Sequence, residues 1–294
     1  MKLKTVARDC LYINWAVPEA SIPAAPSPLR YEVHEANGEN WVFVSALLFR
    51  LSGLHLESIP FARFSYPQMN LRLYVLDRDG EPSALFRRML VPVWVAPMSR
   101  YVGRHPAMSA RFRYPPAMGS PGPDNGISDA VFNDEGWEWS ITRQPSSLLK
   151  SGARESGQLM VRACPGDPML GRGPVLGSWS RTVEHFRHRR RGYAFWERRL
   201  RFVHTERPPV AALPVLVEID DASLIAALLP GVEKNLWSTP HSAWLCAELP
   251  FIFELGPTMS LSEWSRSFVP GDLPKDLVPG DTRSGLRGTR GLLE

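Results

Sequence analysis

The chain has 294 residues, 44% of them hydrophobic and 22% charged, with a formal net charge of +4. That balance excludes a wholly disordered chain, and the longest apolar runs, near 41–49 and 90–98, reach only about half of the ~18 residues that a membrane-spanning helix needs. The three dispersed cysteines, Cys10, Cys164 and Cys246, form no CxxC pair; they exclude a zinc ribbon or thioredoxin-type site and, with no signal-peptide core ahead of Arg8 and Asp9, fit a cytoplasmic protein.

The 28 prolines and 22 glycines are spread through the chain, which argues for many short strands rather than a helical bundle. Residues 31–33 and 41–51 read as strands joined through the turn pair Asn37-Gly38. The second run is apolar on both alternating faces except at Ser45 and Arg50, the pattern of a central strand covered on both sides. Residues 68–75 alternate cleanly, with Met69, Leu71, Leu73 and Val75 on one face and Gln68, Asn70, Arg72 and Tyr74 on the other. Asp77-Arg78-Asp79-Gly80 supplies a turn, and 82–101 suits short helical pieces broken at Pro92 and Pro97. Strand pattern returns over 108–114, 137–143 and 159–164, separated by Gly/Pro-rich loops at 115–125 and 166–177. The best helix is 179–191, with Ser178 as N-cap, Gly192 as stop and arginines crowding its last turn, where the helix dipole favours cations. Residues 193–204 read as one long strand carrying Arg198 and His204 on its apolar face. A strand at 213–219, a helix at 222–229 and an extended segment at 243–255 follow.

Nucleotide and nucleophile motifs are missing. GRGPVLG at 171–177 misses dinucleotide spacing and contains Pro174, and neither a phosphate-binding P-loop nor a GxSxG elbow occurs. Glu184, His185 and His188 lie within about one helical turn, but the surrounding arginines repel a cation, so no metal site is expected. Only five of the 34 basic residues are lysine. Residues 181–207 hold nine arginines against three glutamates, a stripe that fits either nucleic acid or, preferably, a solvated helix and strand face. The polar face of 68–75 has two readings as well. It is a water-facing side of an antiparallel strand, or it lines a barrel where Arg72 grips a carboxylate.

The stretches LYINWAVPEASI (11–22), NGENWVFVSALLFRLSGL (37–54), SYPQMNLRLYV (65–75), SWSRTVEHFRHRRRGY (178–193) and RLRFVHTERPPV (199–210) run in an order that resembles the bacterial domain of unknown function 2071 family, within the acetoacetate-decarboxylase-like superfamily. The resemblance implies a mainly β (α+β) fold, an antiparallel β-cone or barrel with a few short helices and an internal cavity. The barrel-like domain is expected over 1–268; after it the composition turns rich in Pro, Gly and Arg, and 269–294 read as a poorly ordered tail. Together with the alternation the resemblance nominates Gln68, Asn70, Arg72 and Tyr74 as ligand-binding, Arg104 and His105 at the rim, and Arg198 and His204 beside them. The superfamily's known chemistry uses a Schiff-base lysine, but the corresponding stretch, YVGRHPA at 101–107, holds Arg104 and His105 and no lysine. Arginine stays protonated and is no nucleophile.

The expectation is therefore a barrel that binds a small organic anion, a carboxylate above all, with no cofactor, no metal and no membrane; an oligomer is compatible. The alternative is a lyase, isomerase or hydrolase acting on a keto acid without a Schiff base, in which Arg72 holds the carboxylate or enolate and His105 or Tyr74 moves a proton. Nucleic-acid binding through the 181–207 stripe ranks last.

Overall fold

In the computed structural model, strands β1 (Lys2–Pro18), β4 (Glu39–Leu56), β5 (Ile59–Leu76), β6 (Pro82–Val91), β11 (Arg191–Trp196), β12 (Arg199–Glu206) and β14 (Ser242–Ser260) are hydrogen-bonded in that order, and β14 pairs back onto β1. The result is a closed seven-stranded barrel, antiparallel except where β11 meets β6. Closure leaves no unpaired edge on these strands. The described residues are 1–115, 136–143, 156–167, 173–187, 189–196, 199–206, 208, 211–260 and 263.

Three short strands, β2 (Arg30–Tyr31), β3 (His34–Ala36) and β7 (Ala107–Ser109), pair with β5, β4 and β6. From β14 the sheet continues through β13 (Leu213–Asp221), β10 (Gly157–Pro165), β9 (Trp137–Arg143) and β8 (Arg111–Arg113). This arm folds back over the outside of the barrel. Trp139, Ile141 and Val161 of the arm, with Leu224 of helix α3 (Ser223–Leu228), share one apolar core with Ile13, Val44 and Leu71 of the barrel. A second core fills the barrel, where Tyr12, Phe43, Tyr74 and Trp244 surround Phe186 of helix α2 (Trp179–Arg187). Two cores explain why 42–49 is buried without alternation.

Local chemistry sets the joints. Asn37 and Gly38 take φ of +55° and +75° between β3 and β4, the left-handed pair that a two-residue hairpin requires. The Asp77 carboxylate accepts the amides of Asp79 and Glu81, both at 2.9 Å, in the turn between β5 and β6. Ser178 Oγ accepts the Arg181 amide at 3.3 Å and so caps α2.

Several sequence readings change. The helix expected over 179–191 ends at Arg187, and Arg191 and Gly192 open strand β11 instead. Residues 82–91 are strand, and helix appears only as α1 (Ala96–Tyr101). The pairing of β6 with β5 skips Arg87, since Leu71 faces Arg88 and Arg72 faces Phe86; this bulge breaks the two-residue period and hides the strand. The single strand expected over 193–204 is the hairpin β11–β12, with Trp196 opposite Arg199. Residues 108–114 form two strands, β7 and β8. Residues 116–125 of the expected loop and the tail 269–294 lie outside the described residues. Among the described residues no helix is long and apolar enough to cross a membrane.

Candidate binding site

Strand β5 positions the polar face. Met69, Leu71, Leu73 and Val75 enter the core beneath the arm, so Gln68, Asn70, Arg72 and Tyr74 turn into the barrel, where all four are buried. The face is therefore not solvated. Arg72 is only 4% exposed. Its Nε and Nη2 donate to the Tyr74 hydroxyl at 3.0 and 2.7 Å, and Nη2 also donates to the Phe186 carbonyl at 2.5 Å, at the C-terminal end of α2 where a cation is favoured. The rings of Tyr12 and Tyr74 lie 5.5 and 5.2 Å from its guanidinium carbon. No carboxylate among the described residues pairs with it.

A buried hydrogen-bonded chain runs on from Tyr74. The Ser45 and Tyr74 hydroxyls are 2.7 Å apart, Ser45 donates to Asn14 Oδ1 at 2.5 Å, and Asn14 Nδ2 donates to the Ser242 hydroxyl at 3.1 Å. His241 Nδ1 lies 3.3 Å from that hydroxyl. The chain spans β1, β4, β5 and β14 and fixes the tyrosine that in turn holds Arg72.

Two chambers occupy the barrel. The inner one, about 40 Å³, has Tyr12, Asn70, Arg72, Phe86, Arg189 and Phe253 on its wall. The outer one, about 230 Å³, is walled mainly by apolar groups such as Leu51, Leu54, Phe64 and Met89, with Gln68 and His105. Asn70, Phe86 and Phe253 border both. The inner wall carries three arginines and no acid. Arg189 is paired behind the wall with Glu32 at 2.8 Å, and Arg191 with Asp77 at 2.8 Å; Arg72 is the cation left uncompensated. An isolated buried charge is costly, so this end of the barrel favours an anion.

Glu32, His34 and His185 present ligand atoms within 4.8 Å of one another. Arg189 already stands there, its Nη2 2.8 Å from Glu32 and 3.1 Å from His185 Nδ1, so a metal ion would meet a fixed positive charge. Burial, then Arg189, lowers the His185 pKa to about 2, and burial also lowers His34 and His241. Burial raises Glu32, with Arg189 opposing. On the outer chamber wall, burial and then Arg201 lower His105 to about 4, and its Nδ1 has no hydrogen-bond partner.

Of the eight residues nominated from sequence, Gln68, Asn70, Arg72, Tyr74 and His105 come together inside the barrel. Arg104 is exposed, with a φ of +52°, and is not on either wall. His204 shares the strand face of Phe202, directed to the core outside the barrel, with Nε2 3.8 Å from Glu206; Val203 and Thr205 face the chambers instead. Arg198 lies outside the described residues. Sequence reasoning missed Tyr12, Asn14, Arg189, Phe86 and Phe253, which come from four other parts of the chain. One signal was present: Ser45, the hydroxyl interrupting the apolar run of β4, is the link between Tyr74 and Asn14. The basic stripe does not form one surface. Arg187 and Arg189 are buried, Arg191 is paired with Asp77, and Arg201 donates to the Val102 and Gly103 carbonyls, while Arg181, Arg190 and Arg199 are exposed.

Barrels of this fold occur among solved structures. The enduracididine biosynthesis enzyme MppR with HEPES buffer bound superposes with a TM-score of 0.54 at 12% identity, covering 89% of this chain and 88% of that one. MppR complexed with the condensation product of pyruvate and imidazole 4-carboxaldehyde gives 0.53 at 12% identity, covering 89% of each chain. An acetoacetate decarboxylase-like enzyme from Sphingomonas wittichii RW1 matches at 0.46 and 13% identity, over 87% of this chain and 92% of that one. Residues 4–244 match the family DUF2071, described as an uncharacterized conserved protein, and the chain belongs to that family. No curated protein matches it.

Proposed function

We propose that the barrel binds a small organic anion, with a carboxylate held at Arg72 in the inner chamber. One observation carries this reading: Arg72 is a buried guanidinium on a cavity wall with no carboxylate partner among the described residues. With Nε and Nη2 engaged by Tyr74 and Phe186, the guanidinium offers a carboxylate its charge and the two hydrogens of Nη1. The ligands in the MppR structures, among them a pyruvate-derived product, support a small-molecule site within a barrel of this shape. Three dispersed cysteines, Cys10, Cys164 and Cys246, joined by no disulfide, support a cytoplasmic setting.

The test is thermal shift with a panel of small carboxylates and keto acids against the wild type, Arg72→Leu and Arg72→Lys. A ligand at 100 times its Kd stabilises the native state by about 2.7 kcal/mol. The expected result is a shift in the wild type that Arg72→Leu loses and Arg72→Lys keeps in part; an equal shift in all three overturns the reading.

A second reading, proton transfer on a keto acid, is favoured by His105. Its imidazole lines the outer chamber and stays neutral near pH 7, the state in which an imidazole can accept a proton. No lysine lines either chamber, so this reading uses no Schiff base. Exchange of the protons alpha to the keto group with solvent deuterium, followed by NMR, is expected in the wild type and absent in His105→Gln; exchange persisting in that variant removes the assignment.

A further inference from the structure

The two chambers ask for different chemistry. The inner one is lined by guanidinium, amide and phenol groups, and its roughly 40 Å³ suits a group of a few heavy atoms, since about 10–15 Å³ accommodates one water. The outer one holds about 230 Å³, half as much again as the ~150 Å³ apolar cavity that takes a benzene ring. A two- or three-carbon acid at Arg72 leaves that apolar space unused.

Strand β5 gives the axis. Phe64, Tyr66, Gln68 and Asn70 line the outer chamber, and Asn70 and Arg72 the inner one. Alternate residues on one strand face are about 6.7 Å apart, so one strand leads from apolar rings to the guanidinium through two amides. At the solvent end of the outer chamber, Ile59, Phe64, Met98 and Val102 are 37%, 41%, 39% and 58% exposed. The opening is apolar as well as the wall. At the other end Asn70, Phe86 and Phe253 stand between the two chambers, bordering both.

We propose that the ligand is an amphipathic carboxylate, its carboxylate at Arg72 and an attached alkyl or aryl group of roughly six to nine carbons in the outer chamber. This rests on the Arg72 reading above and adds the class of molecule and its orientation.

Titration calorimetry of the full chain with acetate, butyrate, hexanoate, octanoate, laurate and 1-octanol separates the two. Affinity is expected to rise about fourfold per added methylene up to octanoate, because each buried methylene contributes about 0.8 kcal/mol, and to level off at laurate, whose end reaches the open mouth. 1-Octanol should bind at least about tenfold more weakly than octanoate. Met89→Trp, which fills the outer chamber, should weaken octanoate more than butyrate. Acetate and octanoate binding equally, with loss in Arg72→Leu, would overturn the amphipathic ligand and leave the anion site standing. 1-Octanol matching octanoate would overturn both in the wild type alone, whether or not an Arg72 variant folds. Octanoate binding untouched by Met89→Trp would overturn the orientation, and no binding by any member would overturn the whole assignment.

Discussion

The two faces of β5 are built from the same eight residues and do opposite work. Met69, Leu71, Leu73 and Val75 press against the arm, where any apolar group of fitting volume serves. Gln68, Asn70, Arg72 and Tyr74 are just as buried, yet each polar atom there needs a partner, and these are supplied within β5, by Ser45 of the neighbouring β4 and by the Phe186 carbonyl of α2. The first face is held by packing; the second is held by a hydrogen-bonded network and keeps one cation unpaired. Burial alone therefore says little about purpose. A buried polar face is informative when its bookkeeping of charge does not close, as at Arg72.

The comparison can be broken from either side. The largest effect is expected from Leu71→Ala, which leaves a void between barrel and arm and should cost about 2–5 kcal/mol of stability, read by urea denaturation, while the folded variant binds carboxylates as the wild type does. A change in affinity larger than the change in stability would show that the faces are coupled. Next comes acid. His105 is held neutral with its pKa lowered to about 4, below its unfolded value near 6.5, so its contribution is complete above pH 6.5 and is lost as pH falls toward 4. Between pH 7 and 5 this amounts to about 2 kcal/mol, with His34, His185 and His241 acting in the same direction. Glu32, raised in the fold, opposes with one proton. The slope of Tm against pH should flatten in His105→Gln; an unchanged slope would refute the assignment. The smallest effect is expected from Ser45→Ala, about 1 kcal/mol, because Tyr74 retains Arg72 and Asn14 retains Ser242. Its sharper readout is affinity, since the tyrosine that orients Arg72 loses its anchor; octanoate binding unchanged would make the network structural only.

Much of the polar face was legible because alternation survives in 68–75, where neither bulge nor proline interrupts the inward set. The barrel itself was legible only through family resemblance. Strand β6 was not, because the bulge at Arg87 switches its phase, and the β11–β12 hairpin was not, because the sequence 193–204 contains none of the residues that announce a turn. Arg189 looked like one more cation in a basic stripe. Only the register of β11, set by Gly192 lying against Phe86, where an added Cβ would meet the ring at 2.6 Å, brings that segment to the chamber wall. Partners more than a hundred residues apart leave no periodic trace.

The closure of β14 on β1 carries a kinetic consequence. Lys2 pairs with Glu254 and Asn14 with Ser242, so the last wall of both chambers, including Phe253, arrives some 240 residues after the first. Topologies dominated by such distant pairings fold slowly, since the chain must close very long loops before the contacts reward it. During synthesis the first six strands of the barrel wait with their inner faces open, and the site comes into existence in a single late step.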